Sequence, residues 1–133
     1  PDPVAGMGRQ VFAYAVMPHA GGWREAGVVA EAARFNMPIL WAKGTAEPCS
    51  YFSVEDPNLV LDTVKQAEDS TATILRFYEA HGARGRARIR LGLPCRKAVL
   101  CNLLEDQTGV ARLRDDTLEL AYRPWEILTV KLT

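Results

Sequence analysis

From Leu59 to Leu132 the chain falls into short runs rich in β-branched and aromatic residues, each closed by a turn signal. That rhythm restricts the fold more than any other feature. "LVLDTVKQ" (59–66) is followed by the polar stretch "AEDS" and then by "STATILRFY" (70–78). The spacing alone would also permit one helix from Leu59 to His81. Three β-branched residues, Thr71, Thr73 and Ile74, are poor helix formers, and Asp69-Ser70-Thr71 prefer turns and caps. The segment therefore reads as a β-hairpin. "RARIRLGL" (86–93) sets Arg86, Arg88 and Arg90 against Ala87, Ile89 and Leu91. "CRKAVLCNLLE" (95–105) is read as a further strand. "VARLR" and "TLELAY" form a second hairpin around Asp115-Asp116. "WEILTVKL" (125–132) alternates Trp125, Ile127, Thr129 and Lys131 against Glu126, Leu128, Val130 and Leu132.

The first third of the chain is less uniform. "RQVFAYAV" (9–16) places Val11, Ala13 and Ala15 on one side and Phe12, Tyr14 and Val16 on the other, which predicts a strand apolar on both faces and so an interior one. "MPHAGG" ends it. "WREAGVVAEAARFN" (23–36) is the one helical pattern, with Ala26, Val29, Ala30, Ala33 and Met37 as its apolar stripe, Gly27 as a weak point, and Asn36 and Pro38 as its stop. "PCSYFSV" (48–54) is a short strand and "EDPN" a turn. About eight or nine strands and one short helix predict a mainly β fold, an antiparallel β-sandwich. Residues 1–9 are expected to be a linker and 10–133 a single domain.

Composition narrows the function classes. Sixteen basic residues balance sixteen acidic ones in 133, so the general charge of a nucleic-acid binder is absent. The arginines 84, 86, 88 and 90 are expected to be a solvated strand face paired with acidic neighbours, since no aromatic residue interleaves to stack a base. No apolar run approaches the ~20 residues that span a membrane. The opening "PDPVAGMGRQ", with neither initiator methionine nor signal peptide, reads as a piece cut from a longer protein. Cys49, Cys95 and Cys101 are odd in number and lack CxxC spacing, so no disulfide framework is expected. Cys101, in "KAVLCNLLE", is expected to pack as a small hydrophobe. His19 and His81 show no metal-ligand spacing, and no two carboxylates are brought to a set separation by the sequence. Arg76 lies among Glu68, Asp69 and Glu79. Odd spacing puts Glu79 on the face opposite Arg76, which leaves a cross-hairpin pair with Glu68 as the expected contact.

The segments "VFAYAVMPHAGGW", "VLDTVKQAEDSTATILRFYEAHG", "LCNLLED" and "YRPWEILTVKL" together resemble, in order and over nearly the whole chain, the C-terminal region of class II α-mannosidases of glycoside hydrolase family 38, closest to the cytosolic branch. The resemblance implies a β-sandwich packed against an N-terminal catalytic domain as its partner. It further implies a cytoplasmic parent enzyme that removes α-linked mannose from oligosaccharides with retention. The parent would use an aspartate nucleophile, an acid/base carboxylate and a divalent metal, usually zinc, with cobalt activation in the cytosolic branch. No motif of that machinery matches here, so no catalytic residue, cofactor or metal ligand is expected within these 133 residues. The expected role is structural. The alternative is a carbohydrate-binding module holding glycan through His19, Trp23 and Trp125.

Overall fold

The computed structural model describes residues 3–37 and 39–133. The chain divides into two units, Pro1–Lys43 and Gly44–Thr133. The second unit holds every strand found among the described residues. These are β1 (Phe52–Val54), β2 (Leu59–Gln66), β3 (Thr73–Glu79), β4 (Gly85–Leu91), β5 (Ala98–Cys101), β6 (Gln107–Val110), β7 (Arg112–Arg114), β8 (Thr117–Tyr122) and β9 (Ile127–Leu132). They form a four-stranded sheet in the order β1-β4-β8-β7 and a five-stranded sheet in the order β2-β3-β9-β5-β6, with every pairing antiparallel. This is the expected sandwich.

The hairpin reading of residues 59–79 holds. Leu59 pairs with Glu79 and Gln66 with Thr73, with one register shift between Leu61 and Thr63. Leu75 and Phe77 of β3 and Val130 and Leu132 of β9 meet Ala87, Ile89, Leu91, Leu118, Leu120 and Tyr122 from the other sheet in one core. Alternation along each strand therefore delivers the inner face, as it must where one side is buried. Ile74, on the outer face, is covered separately by Ala67 and Ala72 of the hairpin turn.

Several expectations are corrected. "CRKAVLCNLLE" contributes only Ala98–Cys101 to the ladder, because Asn102 builds a loop. Its side-chain oxygen accepts from the N–H groups of Leu104 and Asp106 at 2.9 and 3.0 Å, and the chain returns as the unanticipated strand β6. Between Val110 and Arg112 the backbone crosses from one sheet to the other. The Asp115-Asp116 turn is as expected, with Asp115 at φ 50°. Asp tolerates that left-handed region better than most residues. Trp125 and Glu126 lie outside β9, in a turn closed by the Glu126 N–H donating to Arg123 O at 3.2 Å. The strand expected over 48–54 keeps only its last three residues.

In the first unit the helix α1 covers Val28–Asn36, shorter than the 23–36 expected. Gly27, at φ 68°, sits in left-handed backbone and breaks the helical path, so residues 23–27 form turns instead. The end at Asn36 is as expected; the role given to Pro38 falls outside the described residues, as do the first two residues of the proposed linker. The strand expected at 9–16 is not formed among the described residues. Residues 9–16 carry no regular secondary structure, are exposed, and have no backbone hydrogen bonds among the described residues. No helix among the described residues is long and apolar enough to cross a membrane.

Candidate functional site

Three loops converge at one end of the sandwich: β1–β2 (55–58), β3–β4 (80–84) and β8–β9 (123–126). Glu79, the last residue of β3, organises them. Its side chain is buried and faces four backbone donors. Oε1 accepts from the N–H groups of His81 and Ala83 at 2.8 and 2.9 Å. Oε2 accepts from Gly82 and Trp125 at 2.8 and 2.9 Å. Burial alone would disfavour the ionised form. The four donors outweigh it and hold the carboxyl below the usual glutamate range. Three of these donors follow directly in "EAHGA" (79–83), so the local sequence wraps the chain around the carboxylate. The fourth comes from 46 residues away.

The neighbouring loop is tied in by polar side chains. Asn58 Oδ1 lies 3.0 Å from His81 Nδ1, within hydrogen-bonding distance. Asn58 Nδ2 donates to Tyr122 Oη at 3.3 Å, and Tyr122 Oη donates to Asp56 Oδ2 at 2.7 Å. Burial, followed by the Asp56 carboxylate, pushes the Tyr122 phenol above its ordinary value.

Trp125 crowns this cluster. Its backbone is at φ 61°, a costly conformation for a bulky residue, and the Glu79 bond to its N–H holds it there. The indole lies over Gly82 yet remains 61% exposed. Gly82 is itself at φ 71°, and a Cβ there would come within 2.7 Å of the indole Cζ2. Gly82→Ala is expected to cost about 1–3 kcal/mol, from the left-handed backbone and the displaced ring together. Thermal unfolding followed by tryptophan fluorescence checks this; an unchanged midpoint and spectrum would contradict it.

The outer face of the five-stranded sheet carries a second buried carboxylate, Glu105, in the β5–β6 loop at φ 72°. It accepts from Lys65 Nζ at 2.6 Å and from the Glu68 N–H at 2.8 Å, with Arg76 Nη2 3.8 Å away. The Lys65 hydrogen bond is the main cause holding the Glu105 carboxyl low, and it raises the lysine in turn. This corrects the expected Arg76–Glu68 pair: Glu68 binds Lys65 at 2.5 Å, while Arg76 donates to Leu103 O at 2.8 Å and faces Glu105. Asp69 binds Lys131 at 2.6 Å. Of the carboxylates around Arg76 in sequence, none is its partner, because the β5–β6 loop supplies one from across the sheet. Glu79 does face away from Arg76, as its spacing requires.

The arginine stripe is the expected solvated face: Arg88 stands opposite Glu119, which also pairs with Arg112 at 3.3 Å. The three cysteines are free, and Cys101 is buried, which pushes its thiol up. Of the three residues expected to hold glycan, Trp125 belongs to the sandwich and His19 and Trp23 to the first unit. His19 is exposed, with Nδ1 3.4 Å from Ala20 O, and the Arg24 guanidinium stands 5.0 Å over the Trp23 ring. Asn58 carries no signal in the sequence, and Asp56 and Glu79 are there only two of several carboxylates with no set separation; the signal for Glu79 is its spacing of two from Phe77 and four from Leu75, which puts an acidic side chain in line with an apolar strand face.

Comparison with known proteins fits this architecture. Residues 58–130 match the family described as the glycosyl hydrolases family 38 C-terminal beta sandwich domain. The chain is 43% identical over 141 residues to human alpha-mannosidase 2C1 and 42% identical over 141 residues to the mouse protein of that name, with 99% of this chain aligned in each case. It is 29% identical over 143 residues to alpha-mannosidase G of Dictyostelium discoideum, with 98% of this chain aligned. The chain spans 14% of the length of the human and mouse relatives and 13% of the third. With a family match over more than half its length, and with the matched segment coinciding with β2 to β9, this chain belongs to glycoside hydrolase family 38 and carries that family's C-terminal β-sandwich.

Proposed function

We propose that the chain is the C-terminal accessory region, residues 10–133, of a cytoplasmic enzyme that hydrolyses terminal α-linked mannose from oligosaccharides, and that it is itself structural. The observation that carries this is the fate of its two buried carboxylates. Glu79 is saturated by four backbone donors and Glu105 by Lys65 and a backbone N–H, so both serve the fold instead of proton transfer. Among the described residues no three His, Cys, Asp or Glu side chains are placed to share a metal ion. In this reading the divalent metal, zinc or cobalt, and the catalytic carboxylates belong to the remainder of the longer enzyme, which is the partner of this region. Free cysteines suit a reducing compartment.

The test is direct. The purified 133-residue chain, supplied with zinc or cobalt and a chromogenic α-mannoside, should release no product above the blank. Metal-dependent release would overturn the proposal.

A second reading, direct contact with glycan, is favoured by one observation: Trp125 is exposed while its backbone is anchored by Glu79. An exposed, preorganised aromatic is suited to stack on a sugar ring. In that case mannose or a short α-mannoside should give saturable changes in tryptophan fluorescence and in the amide signals of Trp125, His19 or Trp23. A flat response to millimolar sugar leaves the structural role alone.

A further inference from the structure

The segment Val11–Val16 combines features that do not belong together in a finished fold. Val11, Phe12 and Tyr14 are each 82% exposed and Val16 83%. At strand spacing Val11, Ala13 and Ala15 fall on one side and Phe12, Tyr14 and Val16 on the other, so both sides would be apolar. Its N–H and C=O groups have no partner among the described residues. Nothing in the surrounding unit supplies one: no described residue of 3–43 is buried, and α1 itself buries none of its side chains. At its end Ala15, with Met17 just past the segment, lines a cavity with Val28, Ala32 and Phe35 of α1.

We propose that Val11–Val16 is an interior β-strand of a sheet whose other strands come from the remainder of the longer mannosidase chain. The pattern selects this occupant. A strand apolar on both faces needs cover above and below and a neighbour on each side. A second copy of the same segment would give one neighbour and a two-stranded ribbon, which is marginal in water. An edge strand would keep one row of backbone groups unpaired, and such edges are normally blunted by charge or proline. Residues 11–16 contain neither, and Pro18 stands just past the end, where a strand can stop. The remainder of the relatives, 86% of the human and mouse proteins, is ample to supply a sheet. On this account the chain is joined to the rest of the enzyme by shared backbone hydrogen bonds as well as by side-chain packing, with α1 following the strand as its cover. This inference rests on the reading that the chain is one region of a longer enzyme.

Hydrogen–deuterium exchange on the unmodified protein tests it. In the isolated 133-residue chain at low concentration, the amides of 11–16 should exchange at rates close to an unstructured peptide. In the longer enzyme that contains it, every amide of 11–16 should slow by on the order of 100-fold or more. An interior antiparallel strand bonds alternately to its two neighbours, so protection is continuous along it. An edge strand would protect only every second amide. Alternating protection, or none, in the longer enzyme would overturn the proposal. So would protection already present in the dilute isolated chain, which means pairing within it, or protection that rises with its concentration, which means a second copy. Mannose release by the isolated chain would sink the structural reading above without touching the exchange result, so the two failures are separable.

Discussion

Glu79→Ala is expected to destabilise the sandwich by about 3–5 kcal/mol, lowering its melting temperature by about 15–25 °C. The carboxylate takes four N–H groups from two loops, and alanine leaves all four without their acceptor at a site from which water is largely excluded. Each buried donor left unpaired costs about 1–3 kcal/mol, reduced here because a water can enter part of the vacated space. Glu79→Gln is the sharper variant. Its amide oxygen can keep two of the donors, but its own NH2 then confronts the others, so it should also lose stability despite its matched size. Acidification reads the same interaction. Glu79 has a depressed pKa in the folded chain, so below the ordinary glutamate value the unfolded chain binds the proton first. The contribution is therefore whole above about pH 4.5 and is lost as the pH falls towards the folded pKa. The wild-type chain should lose more stability than Glu79→Gln across that acid window. A melting temperature within a few degrees of wild type for Glu79→Ala, or parallel acid curves for wild type and Glu79→Gln, would remove Glu79 from the centre of the fold. Because three of its bonds build the turn "EAHGA" and the fourth fixes the Trp125 backbone, the same variant should loosen the indole and shift its fluorescence.

Phe77→Ala should cost about 3–5 kcal/mol by a different route. Phe77 is fully buried on the inner face of β3, between Leu75 and Glu79 in sequence and within the single core that joins the two sheets. Truncation loses the transfer free energy of the ring and leaves a cavity that the flanking ladders of β2 and β9 hold open. Phe77→Leu fills most of that volume and should cost less than half as much. Urea unfolding distinguishes the cases: the midpoint should fall in the order wild type, Leu, Ala, with an unchanged slope, since the surface exposed on unfolding is nearly the same. Equal midpoints for Leu and Ala would mean that the core closes around the gap. No acid dependence is expected of Phe77→Ala beyond that of wild type, which separates packing from the charge effect at Glu79.

Local chemistry made much of the sandwich legible. Thr71, Thr73 and Ile74 resolve the ambiguous stretch from Leu59 to His81 into a hairpin, because branching at Cβ disfavours the helix where strand pairing is available. Asp115-Asp116 marks its turn for a similar reason: a short polar side chain tolerates left-handed backbone. The loop after Cys101 was not legible. Asn102 ends the strand by capturing N–H groups two and four residues on, and nothing in "CNLLED" announces it more loudly than the apolar run announces a strand.

What the sequence determined by itself was periodicity: which faces are apolar, where turns fall, and that the chain is β-rich and of balanced charge. What only the tertiary structure decided was partnership. Arg76 lies among carboxylates in sequence and meets one from another loop; Glu79 draws its last donor from 46 residues away. Val11–Val16 carries a strand pattern and forms no strand among the described residues. The physical reason is common to all three. Side-chain alternation is a property of one segment, but a ladder, a buried ion pair and a saturated carboxylate each need groups from a second segment, and only the folded chain brings them within bonding distance.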